Sequence, residues 1–171
     1  MSIKCFVTIL SVLTIVALLA AYADAETAYR QAKVTDLSGN VYVRLNGDPR
    51  WVKAEKGLVL KQDDEIKTDP KASVTIIFDE EGTFEAKGHD SIKIWEDTEL
   101  VLAKLSYDTK TKDKATLLEL EVGKIVANAS KLRTKDSKFE VKTPTSIVGV
   151  RGTNYVVEYH PGQNVSNTTA R

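Results

Sequence analysis

Apolar and polar residues alternate with a period of two along most of this chain. In Ser73-Val74-Thr75-Ile76-Ile77-Phe78, the residues Val74, Ile76 and Phe78 fall on one face. Leu118-Glu119-Leu120-Glu121-Val122 alternates strictly, and Phe139, Val141 and Thr143 alternate with Glu140 and Lys142. Val101, Ala103, Leu105 and Tyr107 form a further row. Such alternation predicts half-buried strands of an antiparallel sheet. Turn signals stand between the rows at Ser38-Gly39-Asn40, Asn46-Gly47-Asp48-Pro49, Asp69-Pro70, Glu81-Gly82, Lys87-Gly88-His89-Asp90 and Gly123-Lys124. The charged run from Asp108 to Lys114 reads as a hairpin tip between two longer strands. Short strands at this spacing predict an all-β domain, an antiparallel sandwich or a jelly-roll-like β-roll. Composition agrees: Val, Ile and Thr supply 37 of the 146 residues from position 26 onward, and β-branched side chains suit a pleated surface.

The first 25 residues break the pattern. Nineteen of them are apolar, Lys4 gives a short positive start, and Ala23-Asp24-Ala25 places small residues where a signal peptidase reads. This predicts a signal-peptide helix cleaved after Ala25. The apolar run, residues 5–22, also approaches the roughly 20 residues that cross a bilayer, so an uncleaved anchor is the alternative. Both place residues 26–171 outside the cytoplasm. The domain plan is therefore 1–25 signal peptide (alternatively uncleaved membrane anchor), 26–161 β domain, and 162–171 a disordered polar tail.

Charge and chemistry narrow the function. Lys plus Arg is 24 and Asp plus Glu is 24, without the basic excess of a nucleic-acid binder. The only cysteine is Cys5, within the front segment, so the body has no disulfide, thiol nucleophile or thiolate ligand. His89 and His160 alone make a poor metal set. Asp63-Asp64-Glu65 and Asp79-Glu80-Glu81 lack the spacing of a calcium loop and read as solvated turns. No serine has a nucleophile-elbow context, and Gly149-Val150-Arg151-Gly152-Thr153 lacks the lysine of a phosphate loop. These features predict no catalysis, no cofactor and no metal. Trp51 and Trp95 both read as core or half-core residues, with sugar stacking or a partner contact as the functional alternative; Trp95 is out of phase with Ile92 and Ile94, which leaves it able to face solvent and makes it the candidate contact. The stretch 131–142 is modestly basic and reads as a solvated face.

Several positions together resemble the FecR domain, a periplasmic module named after the bacterial ferric-citrate regulator. They are Gly39-Asn40-Val41-Tyr42-Val43 with Trp51; Gly57-Leu58-Val59-Leu60 followed by Asp63, Ile66, Lys67 and Thr68; and Ala72 through Phe78 with Asp79 and Gly82. They continue with Leu118, Leu120, Gly123 and Ile125. The closing block is Phe139-Glu140-Val141-Lys142-Thr143-Pro144, then Val148, Val150-Arg151-Gly152-Thr153, Tyr155 and Val157. The resemblance spans about residues 32–158. Gln62 departs from it by standing where the family has glycine, and Glu80 and Glu81 lengthen a turn. Few residues precede the apolar run and the chain stops soon after the closing block. The resemblance therefore implies the domain by itself, without an anti-sigma segment and its relay.

The motif residues read as mainly structural. Gly152 is expected at a kink with positive φ. Arg151 is expected to pin strand ends by pairing with a carboxylate, with a partner contact as its functional alternative. Pro144 ends a strand. The implied function is an exported, noncatalytic binding or signalling module of the cell envelope, periplasmic or secreted, or anchored with its domain outside. Its partner would be an envelope protein or a cell-surface polymer; the second reading is a cell-wall or polysaccharide-binding module.

Overall fold

The computed structural model describes residues 27–79, 90–130, 134–150, 152, 154–162 and 167–170. The described residues are all-β and contain no helix. The strands are β1 (Thr27–Tyr29), β2 (Gln31–Ser38), β3 (Val41–Arg44), β4 (Val52–Lys53), β5 (Val59–Leu60), β6 (Glu65–Thr68) and β7 (Ser73–Asp79). They continue as β8 (Ser91–Ile94), β9 (Glu99–Asp108), β10 (Lys114–Asn128), β11 (Lys138–Lys142), β12 (Ile147–Val150), β13 (Asn154–Tyr159) and β14 (Asn167–Ala170). The expected signal-peptide helix, residues 1–25, lies outside the described residues.

All the strands belong to one sheet, ordered β4-β3-β6-β9-β10-β8-β7-β2-β5 along its main path. Its two ends, β4 and β5, are separated by only residues 54–58. That connector spans at most about 20 Å, at 3.3–3.6 Å per residue. It is bonded to both sides. Ala54 N–H donates to Val41 O in β3 (2.8 Å), Gly57 N–H donates to Val34 O in β2 (2.8 Å), and Val34 N–H donates to Leu58 O (2.9 Å). The sheet therefore curls into a half-barrel, and its concave face holds the core. That face carries Val34, Val43, Ile66, Ile76, Phe78, Ile92, Leu118 and Val141, all buried. Each such side chain stabilises the fold by about 1.5–3 kcal/mol relative to exposure.

β10 is the spine. Ala115–Glu119 pair with β9 on one side and with β11 on the other. Ile125–Asn128 pair with β8 and β13. The pairing with β11 is parallel, where the alternation alone predicted antiparallel neighbours. Between the halves the strand slips by one residue. Thr116, Leu118 and Leu120 point inward, then Gly123, Ile125 and Ala127, and the register shifts between Leu120 and Val122. An extra residue in one strand turns its side chains over and bends it. Gly123-Lys124 thus lies inside a long strand, just past a bulge between Leu120 and Val122, and is not the turn its glycine suggested.

A second bulge corrects the row Val101, Ala103, Leu105, Tyr107. The residues buried in β9 are Leu100 and Leu102, then Leu105 and Tyr107. The register against β10 shifts within this stretch, so Val101 and Ala103 lie on the opposite face. The freed Leu105 N–H donates to the side-chain Oε1 of Gln62 (3.2 Å). Gln62, the departure from the family pattern, satisfies a buried backbone donor. The hairpin expected at Asp108 to Lys114 joins β9 to β10. The stretch 162–171 is not wholly an irregular tail, because Asn167–Ala170 pair antiparallel with β13.

Candidate functional site

The bend of β10 builds the site. β8 and β9 are joined by residues 95–98, which cross the bend. Ile92 and Ile94 are buried, so the next residue in an extended chain faces outward, and Trp95 is 40% exposed. Its backbone is fixed at both ends: its N–H donates to Lys124 O (3.0 Å), and the Thr68 hydroxyl donates to its carbonyl (2.5 Å). Thr68 Oγ1 also accepts from Thr98 N–H (3.0 Å). The Thr98 hydroxyl donates to Glu96 O (3.0 Å) and accepts from Lys124 N–H (3.0 Å). Thr68 and Thr98 are buried, where an unbonded hydroxyl would be costly.

Gly123 lets this contact form. Its φ is 103°, which side chains rarely adopt. A Cβ there would lie 2.2 Å from Thr98 Oγ1 and 2.6 Å from Thr98 Cα. Thr68 and Gly123, two of the motif residues, thus meet through Thr98 and hold the Trp95 turn.

In front of that turn lies a cavity of about 420 Å³, lined by Trp95, Glu96, Asp97, Gly123, Lys124, Val126, Glu158 and His160. The Lys93 ammonium sits 4.4 Å from the Trp95 ring centre, a cation–π distance. His160 Nε2 donates to Glu158 Oε1 (2.8 Å), and Lys124 Nζ lies 3.3 Å from Glu158 Oε2. The hydrogen bond from His160, aided by Lys124 and opposed by slight burial, holds the Glu158 carboxyl below the usual carboxylate range. An aromatic wall beside fixed acceptors and donors can bind a ligand by stacking and hydrogen bonding. Among the described residues no group of three His, Cys, Asp or Glu is placed to hold a metal ion.

The remaining expected residues lie elsewhere. Gly39, Gly57, Asp63 and Gly152 all have positive φ. Asp64, beside Asp63, is buried, and its carboxylate accepts from Asn46 N–H (2.8 Å) and Lys61 N–H (2.7 Å). The Thr143 hydroxyl accepts from Ser146 N–H (3.1 Å), closing a turn in which Pro144 leads from β11 to β12. Trp51 is at most a half-core residue, not a fully buried one. It is 38% exposed beside β4, the end strand, with the Arg44 guanidinium 5.0 Å from its ring centre. Arg151 and Thr153 lie outside the described residues, as does His89.

A buried polar network was not foreseen. Arg30, fully buried, donates to Asp90 and to Thr116 Oγ1 (2.5 Å), and its guanidinium lies 5.2 Å from the Phe78 ring centre. Asp90 Oδ1 also accepts from Ser130 N–H (2.6 Å) and the Ser130 hydroxyl (2.7 Å). Burial alone would push the Asp90 carboxyl up. The Arg30 charge and the Ser130 hydrogen bonds outweigh it, and the carboxyl stays below its ordinary range. The Tyr155 hydroxyl is buried nearby and has no hydrogen-bond partner among the described residues. A signal did exist in the sequence: Arg30 is in phase with Ala32 and Val34, and Asp90 with Ile92 and Ile94. A charged residue in phase with an inward row must find a partner.

No curated protein and no solved structure matches this chain. The family described as FecR protein matches residues 64–169. The match starts after the first element of the sequence resemblance, within the second, and runs on into β14. It takes in Thr68, Trp95, Thr98 and Gly123, the residues that build the β10 corner, as well as the closing block. Covering more than half of the 171 residues, it shows that the chain belongs to the FecR protein family.

Proposed function

We propose that this chain is an exported, noncatalytic module of the bacterial cell envelope that acts by binding, with the Trp95 face as its contact surface. Family membership supports a signalling-related envelope role. The Trp95 turn supports the choice of surface: a half-exposed indole, braced by two buried threonines and a positive-φ glycine, beside a cavity with fixed polar groups. Such rigidity lowers the ordering cost of binding. The half-barrel is the form we assign to the roll expected from the sequence. Residues 26–171 would stand in the periplasm or outside the cell, either free or held by an uncleaved front segment. Arg151 remains a proposed second contact.

The test is affinity capture from extracytoplasmic extract, with wild-type and Trp95→Ala chains as bait and mass spectrometry of what is retained. Recovery of one defined envelope component by wild type only is the expected result. Equal recovery by both chains would remove Trp95 from the contact surface. A second reading, a cell-wall or polysaccharide-binding module, is favoured by the solvent-facing indole itself.

A further inference from the structure

The Trp95 cavity does not end at Trp95. A second hollow of about 190 Å³ adjoins it, lined by Lys67, Thr68, Asp69, Pro70, Asp97, Glu99 and Val122. Asp97 lines both, so the two hollows meet at that residue and together are called the groove. The larger falls within the roughly 300–1,000 Å³ of small-ligand sites.

We propose that this groove binds an uncharged oligosaccharide, with one sugar stacked on Trp95 and the next beyond Asp97. The inference rests on the reading of the Trp95 face as the contact surface and supplies its ligand class. Three observations select a neutral sugar. The walls carry the carboxylates of Asp69, Glu96, Asp97, Glu99 and Glu158 against the ammonium groups of Lys67, Lys124 and, against the Trp95 ring, Lys93. That excess of negative charge repels uronates, phosphates and other anionic polymers. The place of a bound cation on the indole is already taken by Lys93, 4.4 Å from the ring centre, yet the ring stays 40% exposed. An apolar C–H face of a pyranose suits such a ring; a second cation does not.

The third observation concerns the backbone. An extended peptide binds by adding to a free strand edge. Here β6 is paired on one side with β3 and on the other with β9, and Trp95 N–H is spent on Lys124 O. What the groove offers instead is side-chain groups. Glu158 is shared by His160 and Lys124, Lys67 Nζ lies 2.5 Å from Glu99 Oε1, and Asp97 makes no side-chain hydrogen bond among the described residues. Sugar hydroxyls, each donor and acceptor, match this alternation of acceptors and donors.

The test titrates the purified full chain with cellotriose, chitotriose, maltotriose and mannotriose, following tryptophan fluorescence and calorimetry. Trigalacturonate and trilysine serve as anionic and cationic probes. At least one neutral trisaccharide is expected to bind with a Kd of about 1 mM or tighter. Trp95→Ala should weaken it at least ~10-fold, about 1.4 kcal/mol, while Trp95→Phe retains most of the affinity. Trp51→Ala, on the end strand, should leave it unchanged. Silence from all four sugars, preference for either charged probe, or binding indifferent to Trp95→Ala would overturn the proposal. Silence from the sugars together with a Trp95-dependent captured protein would overturn only the ligand class and leave the contact surface standing.

Discussion

Replacing Gly123 by alanine tests the architecture that the site depends on. The substitution has two costs. A side chain at φ 103° is strained by about 1–2 kcal/mol, the left-handed penalty for an L-residue. The added methyl would also sit 2.2 Å from Thr98 Oγ1 and 2.6 Å from Thr98 Cα. The second contact is with backbone, so rotating a side chain does not relieve it. Such overpacking adds about 1–3 kcal/mol. Gly47 is the control, because its φ is 85° and a Cβ there meets nothing within 4 Å. Gly47→Ala carries the strain alone. Urea unfolding of both variants, followed by far-ultraviolet circular dichroism, compares the midpoints at unchanged slope. Gly123→Ala should be the less stable by about 1–3 kcal/mol, a large part of a typical total of 5–15 kcal/mol. Equal losses in the two variants would refute the Gly123–Thr98 contact as the origin of the corner.

Other predictions concern the core and the bulge. Asp90→Asn should cost about 1.5–3 kcal/mol, since it removes the charge from a buried carboxylate that accepts from Arg30 and Ser130. The Asp90 carboxyl is depressed in the folded state, so its stabilisation is complete above the unfolded value near about 4 and is lost as pH falls through the folded value. The variant should therefore show a shallower acid limb in stability against pH, and an unchanged limb would show that the pair does not govern it. Tyr155→Phe removes a buried hydroxyl without a partner among the described residues and should leave the melting temperature equal or higher; a clear drop would reveal a hydrogen bond. Gln62→Ala leaves the Leu105 N–H of the β9 bulge unbonded and should cost about 1 kcal/mol, with faster hydrogen exchange at Leu105. Unaltered exchange there would mean the side chain is dispensable.

How much of this was legible depends on whether one residue type carried the signal. The rows Val74-Ile76-Phe78 and Phe139-Val141-Thr143 were readable because alternation runs unbroken through them and all six residues are buried. β9 and β10 were harder, because each holds a bulge, and one extra residue reverses the face of everything beyond it. Nothing local distinguishes Val101 from Leu102 until the partner strand is known. The parallel pairing of β11 is likewise a property of chain return and not of composition. Trp95 was legible only in part: its break of phase with Ile92 and Ile94 marked it as able to face solvent, but a lone strand tryptophan reads first as core or half-core. Trp51 was not, since its exposure follows from β4 being the end strand, a fact of strand order. Thr68 and Gly123 stood out as motif positions, but their partner Thr98 did not, because an isolated threonine in a charged turn carries no periodic mark.

The most direct test of the central claim is cross-linking in the cell. A photoreactive residue is placed at Asp97, within the groove, or at Val59 on the far end strand, in the otherwise unaltered full chain. The account predicts that position 97 forms defined adducts with extracytoplasmic envelope components, that Trp95→Ala abolishes them, and that position 59 forms none of them. Adducts only with cytoplasmic proteins, or the same adducts from both positions, would contradict it.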